Sequence, residues 1–306
     1  MKKLLVFLFI CLACTSCGQS ENSSQLKYFG FSLIDTYWDD PTDSEMKTNY
    51  IDEVAAFTNI ADILVLGPED NILAKIQNMN NLGVKSILHL SELFFEFETK
   101  GGLSGVKYKL RQNYKSRWNK FILVNDLKNN QDLVQAFYLG EEPTWNGISF
   151  EELKQASDYI KSTIANVAIM IIEAYPAIEF LNIPKSIDWV GFDHYFIKDP
   201  FNNLEFRAEL TLLKSKLSKS QKLVFVMDSH YIPKVHNDIA KIDINEMKDV
   251  ARSYYQLAKS EPKAIAIIGY FWPSGFDNKT AIGARNMPQT VIDEYIRIGK
   301  EIVGRE

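Results

Sequence analysis

Two adjacent glutamates are the first residues of this sequence that could carry out acid–base chemistry. Glu141 and Glu142 follow an apolar run, residues 136–139, which is typical of a buried strand. A carboxylate at the mouth of a buried strand is costly to place unless it has a partner or a catalytic task. Ser149, with Glu152 three residues later, predicts a helix with a capping box directly after this loop. The sequence therefore places the pair on a strand–loop–helix unit.

Acidic and aromatic residues also follow the other apolar runs. Aromatic faces stack on the C–H faces of pyranose rings, and carboxylates accept hydrogen bonds from sugar hydroxyls. Glycoside hydrolysis needs two carboxyl groups across the scissile bond, one protonated and one ionised. We therefore expect a sugar site built from these run-end residues: Asp35, Tyr37, Trp38, His89, Glu141, Glu142, Trp145, Glu173, Asp193, Tyr195, Asp228, His230 and Trp272.

Eight strands separated almost throughout by helical segments are predicted. Such alternation implies a parallel sheet, and eight strands close a (β/α)8 TIM barrel, with an open doubly wound sheet as the alternative. In a barrel all strand carboxyl ends face one end, where active sites form. We expect one barrel domain over residues 28–306. Its predicted strands are 28–34, 62–66, 85–90, 136–139, 167–172, 188–192, 222–227 and 264–270, and its predicted helices are 45–60, 72–82, 116–129, 149–165, 204–217, 244–259 and 288–303.

Three short motifs carry a family resemblance. Glu141-Glu142-Pro143 is similar to the Asn-Glu-Pro-like motif that ends the fourth strand of clan A glycoside hydrolases, with Glu141 in place of the usual Asn. The segments 188–195 and 268–272 resemble the sixth and eighth strands of that clan. The resemblance implies that Glu142 is the acid/base, that Tyr195 supports the nucleophile, and that Trp272 forms the floor of the sugar site.

The sequence departs from this clan at the nucleophile. The clan has a Glu at the end of strand seven, whereas this chain has Asp228, one methylene shorter. Asp228 is therefore predicted as the nucleophile or second carboxylate, with Glu173 or Asp193 as alternatives. Two other functions stay open. One is a substrate-assisted hexosaminidase that uses Glu141 and Glu142, and the other is a degenerate barrel that binds glycan without cleaving it.

The remaining candidates are assigned to substrate binding. Asp35 and Glu173 are expected to bind hydroxyls, and Trp38 and Trp272 to act as sugar platforms. No metal site is expected, because the chain has only four histidines and no His-x-His pair on the first strand. No cofactor is expected either, since the chain contains no phosphate-binding glycine loop, no dinucleotide fingerprint and no Gly-x-Ser-x-Gly elbow.

The first 17 residues resemble a bacterial lipoprotein signal. Lys2 and Lys3 precede an apolar run that is too short to span a bilayer, and cysteines follow it. Cys17 is the predicted lipid attachment site, with Cys14 as the alternative, and residues 18–27 are a predicted polar tether. We therefore expect an exported lipoprotein on the periplasmic face or the outer-membrane surface, held to the membrane by its lipid anchor only.

Charge and cysteine content limit the remaining partners. The net charge of −5 becomes more negative when Lys2 and Lys3 are removed, which argues against nucleic acid as a partner. All three cysteines lie in the predicted signal, so neither a disulfide nor a thiol nucleophile is expected in the folded domain. A carbohydrate is the expected substrate, and the protein is expected to be a monomer.

Overall fold

The computed structural model describes residues 26–305, and within them eight parallel strands form one sheet. A separate antiparallel hairpin, β4 and β5, lies between β3 and β6. The hydrogen-bonded order is β1-β10-β9-β8-β7-β6-β3-β2. The strands are β1 (Tyr28–Phe31), β2 (Ile60–Leu64), β3 (Lys85–His89), β4 (Phe95–Gly101), β5 (Gly105–Leu110), β6 (Val134–Glu141), β7 (Ala168–Ala174), β8 (Trp189–Asp193), β9 (Lys222–Asp228) and β10 (Ala264–Tyr270).

The sheet nearly closes into a barrel between its two outer strands. Beside β1 and β2, the Asn59 N–H donates to the Phe29 carbonyl at 3.0 Å, and the Leu64 N–H donates to the Asp35 carbonyl at 3.0 Å. Gly30 permits this approach, because a Cβ atom at that position would lie 2.1 Å from the Ile60 carbonyl oxygen. The predicted (β/α)8 barrel is therefore confirmed, and the open doubly wound sheet is not what the chain forms.

Helices cover the outside of the barrel. The helix after β6 begins with the predicted capping box, in which the Ser149 hydroxyl accepts from the Glu152 N–H and the Glu152 carboxylate accepts from the Ser149 N–H. The helices are α1 (Ile51–Val54), α2 (Leu73–Asn81), α3 (Ser91–Phe94), α4 (Tyr114–Val124), α5 (Phe150–Thr163), α6 (Leu204–Lys216), α7 (Pro233–His236), α8 (Met247–Ser260) and α9 (Gln289–Val303).

Alternate strand residues divide the core into two layers. Residues such as Ile87, Met170 and Val226 face the barrel interior and pack against one another. Their neighbours in sequence, such as Leu88 and Ile169, face outward into the larger core beneath the helices. This period of two follows from strand geometry, and it decides which strand-end side chains can enter the barrel mouth.

The structure differs most from the sequence-based expectation in two segments. The predicted helix over residues 45–60 is reduced to α1, because the buried Tyr50 side chain binds the preceding loop instead. Its hydroxyl donates to the Lys47 carbonyl at 2.7 Å and accepts from the Asp40 N–H at 2.9 Å. In addition, residues 95–110 form the β4–β5 hairpin, which had not been predicted.

The predicted signal at the amino terminus, with Cys14 and Cys17, and most of the predicted tether lie outside the described residues. Among residues 26–305, no helix is both long enough and apolar enough to cross a membrane.

Candidate active site

A cavity of about 560 Å³ opens at the carboxyl ends of the barrel strands and extends into the barrel interior. Its floor is apolar, formed by inward residues such as Ile60, Met170 and Val226. Its acidic lining consists of six residues, and no Lys or Arg lines it within the described chain. The six are Asp62, Glu92, Glu141, Glu142, Asp193 and Asp277.

Glu142 is fixed at the mouth of the cavity by its backbone. Its φ of +47° lies in the left-handed region, which is uncommon for a residue with a side chain. The Glu142 N–H donates to the Ile172 carbonyl at 2.7 Å, and its own carbonyl accepts from the Asn146 N–H at 2.8 Å. Burial raises the pKa of Glu142 to about 7, with further contributions from Glu141, Glu173 and Asp277. The side chain can therefore both donate and accept a proton near neutral pH.

Glu141 also lines the cavity, next to His89. Restricted hydration in the cavity, followed by the charge of Asp277, raises the pKa of Glu141 to about 7. The Glu141 Oε2 lies 3.7 Å from the His89 Nε2. The His89 ring stacks on Tyr138 at 4.4 Å, and burial lowers its pKa to about 4, so the ring is neutral at pH 7.

Asp193 and two tyrosines form another part of the lining. Burial raises the pKa of Asp193 well above its ordinary value, and Glu142 and Glu141 raise it further. Tyr195 stacks on Tyr270 with ring centroids 5.3 Å apart and an interplanar angle of 14°. Both rings line the cavity and offer faces to a sugar.

Asp277 and Asp62 belong to this lining, although sequence reasoning missed both. Asp277 lies on the loop after β10 and accepts a hydrogen bond of 2.7 Å from the Tyr270 hydroxyl. Asp62 lies inside the barrel on β2, where it accepts from the N–H groups of Leu33 and Ile34 at 3.0 and 2.8 Å. An acidic residue at an inward position of a strand could have identified Asp62, but no local pattern marks Asp277.

Glu173, predicted to bind substrate, is fully buried and does not line the cavity. On β7, Ile172 faces inward, so its neighbour Glu173 faces the other way. The Glu173 carboxylate accepts from the N–H groups of Thr144 and Trp145 at 2.8 and 3.1 Å. It thereby braces the loop that follows Glu142.

Asp228, predicted as the nucleophile or second carboxylate, is also fully buried and lies away from the cavity lining. Its Oδ2 accepts from the Phe196 N–H at 2.8 Å, and the His236 Nε2 lies 3.2 Å from the same oxygen. Burial alone would raise the pKa of Asp228, but the neighbouring His230 and His236 and the Phe196 N–H outweigh it and hold the pKa below 3.8. The carboxylate is therefore a buried anion with its hydrogen-bonding capacity used inside the protein.

Asp228, His230 and His236 also form a group with metal-ligand chemistry, and within the described residues no other group of three has its ligand atoms within 4.8 Å of one another. The His236 Nδ1 accepts from the Ile232 N–H at 2.8 Å, so its ring proton is on Nε2, facing Asp228. The His230 Nδ1 lies 3.1 Å from the Tyr270 carbonyl, which can only accept. Both nitrogens that face the carboxylate carry protons, which fits a hydrogen-bonded anion rather than a metal ligand set.

The predicted aromatic platforms lie outside the cavity lining. Trp272 is 3% exposed, packs on Phe31 at 4.8 Å and donates from Nε1 to Glu53 at 2.7 Å, so neither face is free for a sugar. Trp38 packs edge-on against Phe276 and donates from Nε1 to the Ser274 carbonyl.

Four other predicted binding residues also lie outside this lining. Asp35 is buried in an ion pair with Lys75 at 2.6 Å, and the same Lys75 lies over the exposed ring of Tyr37 at 4.9 Å. Trp145 is half-buried behind the β6 loop, where its carbonyl accepts from the hairpin turn. His230 packs edge-on under Tyr195. The structure thus brings Glu141, Glu142, His89, Asp193 and Tyr195 together at the cavity.

Several solved structures that share this fold are glycoside hydrolases. A glucosidase from Croceicoccus marinus is 11% identical with a TM-score of 0.60, over 92% of this chain and 67% of its own. A β-glucuronidase of an uncultured Clostridium sp. is 13% identical with a TM-score of 0.57, over 90% of this chain and 50% of its own, so this chain spans half of its length. A GH113 β-mannanase from Alicyclobacillus acidocaldarius is 12% identical with a TM-score of 0.52, over 92% and 98%.

No protein-family model and no curated protein sequence matches the chain. The similarity to these solved structures therefore lies in the fold: the chain has the (β/α)8 barrel that these glycoside hydrolases have.

Proposed function

We propose that the protein is a glycoside hydrolase that cleaves a poly- or oligosaccharide by carboxylate acid/base catalysis. The observation that carries this proposal is Glu142, an acid with a pKa of about 7 that lines a cavity at the carboxyl end of the barrel. At neutral pH such a group is present in both protonation states, as a catalyst that gives and takes one proton requires.

Asp193 is the second carboxylate in this mechanism. It lines the same cavity as Glu142, whereas the buried Asp228 does not. The glycosidic C–O bond breaks as the leaving oxygen takes the proton of Glu142. Positive charge then develops on the sugar ring, and it favours the ionised form of Asp193. Water adds its oxygen to the anomeric carbon and returns a proton to a carboxylate of the site.

The tyrosines of the lining orient the sugar in place of the tryptophans proposed from the sequence. Tyr138, Tyr195 and Tyr270 line the cavity, and each is held by a ring contact, Tyr138 with His89 and the other two with each other. Rings held in this way lose little conformational freedom when they stack on a sugar.

A glycan-binding protein without hydrolytic activity is the second candidate. It is favoured by the state of Asp228, because the carboxylate that stands where the clan has its nucleophile is committed to two histidines and a backbone N–H. A substrate-assisted hexosaminidase is a variant of the first proposal, and it is supported by the presence of both Glu141 and Glu142 at the cavity.

A glycan digestion panel tests these functions. The protein from Ser24 onward is compared with Glu142→Gln and Asp193→Asn, and with the exposed Glu179→Gln as a matched control. A hydrolase releases reducing ends in the wild type and the control and loses at least 100-fold in rate in both site variants. Binding without release in all four proteins would establish the binding function instead. Release confined to N-acetylated glycans, and lost in Glu141→Gln, would identify the substrate-assisted variant.

We also propose that the protein is exported and anchored through a lipid on Cys17. The basic residues, short apolar run and cysteines of the first 17 residues support this location. No other contact with the membrane is proposed.

A further inference from the structure

The groups of the cavity lining that can carry charge at neutral pH are all carboxyl groups. Six carboxyl residues line it, and no Lys or Arg does so in the described part of the chain. His89 is the one histidine of the lining, and its pKa of about 4 leaves the ring uncharged at neutral pH. A ligand in this cavity therefore meets carboxyl groups, partly ionised at neutral pH, without any fixed cation among them.

Few positively charged side chains or N–H groups contact these carboxyl groups from within the protein. Glu92 lies 3.8 Å from Arg111, and Asp62 is held by two backbone N–H groups. Over residues 26–305, no ion pair joins Glu142 or Asp193 to a lysine or arginine. The raised pKa values of these two groups have the same origin, since burial and neighbouring carboxylates disfavour their ionised forms.

The spacing of the carboxylates fits an organic cation rather than a bare metal ion. Among the described residues, three metal-ligand groups approach within 4.8 Å of one another only at Asp228, His230 and His236. No three of the cavity carboxylates converge to that extent. Their charge is spread over a cavity of about 560 Å³, which is the scale of a sugar and not of an ion.

A second feature of the lining is an unsatisfied hydroxyl. Thr36 lines the cavity, is 6% exposed, and its Oγ1 has no hydrogen-bond partner within the described structure. Buried hydroxyls are normally hydrogen-bonded, so an orphaned one at a cavity wall marks a position where a ligand supplies the partner. The unpaired Thr36 hydroxyl is an observation independent of the charged groups, and it indicates a polar ligand.

We propose that the sugar held in this cavity carries a free ammonium group, as amino sugars do, and that sugars with a carboxylate are excluded. This inference rests on the proposed carbohydrate function and names the substrate class of that site. The ammonium group replaces the missing cation of the lining, whereas a uronic acid would add one more carboxylate to six. The apolar floor accommodates the unsubstituted part of the ring.

The test is calorimetric binding of three methyl glycosides at neutral pH and low salt. The 2-amino-2-deoxyglucoside, the glucoside and the glucuronide differ in charge, and the galactose and mannose series repeat the comparison for other ring stereochemistry. We expect the ammonium sugar to bind at least tenfold more tightly than the neutral sugar, and the uronide not to bind. The preference should shrink as salt is added.

Variants separate charge from general polarity. Asp277→Asn and Glu141→Gln should reduce the preference for the ammonium sugar, and Thr36→Val should weaken the ammonium and neutral sugars equally. Glu179→Gln should change nothing, and thermal unfolding of each variant verifies that it is folded. Equal binding of the neutral and ammonium sugars, binding of the uronide, or no binding in any series would overturn the proposal.

The outcome is distinguishable from failure of the hydrolase assignment. Turnover of neutral glycans that depends on Glu142, without a preference for the ammonium sugar, would overturn the charge proposal alone. A charge preference without turnover of any glycan would support the charge proposal and remove the hydrolase.

Discussion

The substitution Glu141→Gln tests whether the carboxyl groups of the cavity control one another. The pKa of Glu142 is about 7, against an ordinary value of 4.5. Burial is the largest cause of this rise, and the charge of Glu141 is the next, followed by Glu173 and Asp277. Removing the charge of Glu141 should therefore lower the pKa of Glu142 while leaving it clearly above 4.5.

The magnitude is limited by this order of causes. Because burial outweighs Glu141, less than half of the rise can disappear, so the expected fall lies between a few tenths and about 1 pH unit. Glu141 itself has a pKa of about 7, and the wild-type pair should titrate in two coupled steps near neutral pH. In the Glu141→Gln variant one step remains, at a lower pH.

The assay is carbon-13 NMR of protein labelled at the glutamate carboxyl carbons, with the Glu142 signal assigned from its absence in Glu142→Gln. Once a substrate is known, the basic limb of the rate profile should move to lower pH by the same amount, because the protonated Glu142 is the proposed proton donor. Glu179→Gln should leave both measurements unchanged. A Glu142 midpoint that stays in place or rises would refute the electrostatic coupling.

Three further predictions concern folding and export. Asp228→Asn should lower the free energy of unfolding in urea by about 3 kcal/mol. Because the pKa of Asp228 in the folded protein is below its ordinary value of 3.8, this stabilisation is present above pH 3.8 and is lost as the pH falls through the folded pKa. The stability of the variant should not show this loss at low pH. Gly30→Ala should cost about 3 kcal/mol in the same assay, since its Cβ would lie 2.1 Å from a carbonyl oxygen of β2, whereas Gly67→Ala, with no atom within 4 Å, should cost far less. Cys17→Ser should abolish incorporation of radiolabelled palmitate in vivo, and retained labelling would remove Cys17 as the anchor.

The barrel was predictable because its signals are local and repeated. The eighth strand matches its predicted bounds, residues 264–270, since a continuous apolar run begins there directly after the polar residues 261–263. The prediction of a helix over residues 45–60 was wrong because the Tyr50 side chain binds the loop before it. The periodicity of apolar residues in the sequence does not reveal such a contact. The β4–β5 hairpin does have a pattern in the sequence, because apolar and polar residues alternate in 95–97 and 106–110 as they do in strands with one exposed face.

The site was predictable only to the level of the strand ends. The sequence shows which residues follow each strand, but the side of the barrel wall on which each side chain lies depends on parity and on local irregularity. Alternate residues of a strand face opposite sides, so Glu173 faces outward because its neighbour Ile172 faces the barrel interior. On β6 the register with β7 shifts between Tyr138 and Gly140, and both Glu141 and Glu142 then line the cavity, although strict alternation would separate them.

Two of the predicted acids that lie outside the cavity, Glu173 and Asp228, have a shared structural role. Glu173 accepts from the N–H groups of Thr144 and Trp145, two and three residues after the left-handed Glu142.

Asp228 likewise accepts a backbone hydrogen bond in the loop beside Asp193, the other proposed catalytic acid. It accepts from the N–H of Phe196, three residues after Asp193, and Phe196 also has a left-handed φ of +66°. Each buried carboxylate thus holds the loop next to one cavity acid in a backbone conformation that is costly without such a partner. The proposed proton-transfer groups, Glu142 and Asp193, have raised pKa values and no ion pair with a lysine or arginine among the described residues, whereas the pKa of Asp228 is lowered and that of Glu173 is raised by its burial. In the proposed mechanism, two acids at strand ends therefore support the loops that carry the two acids that exchange protons with the substrate.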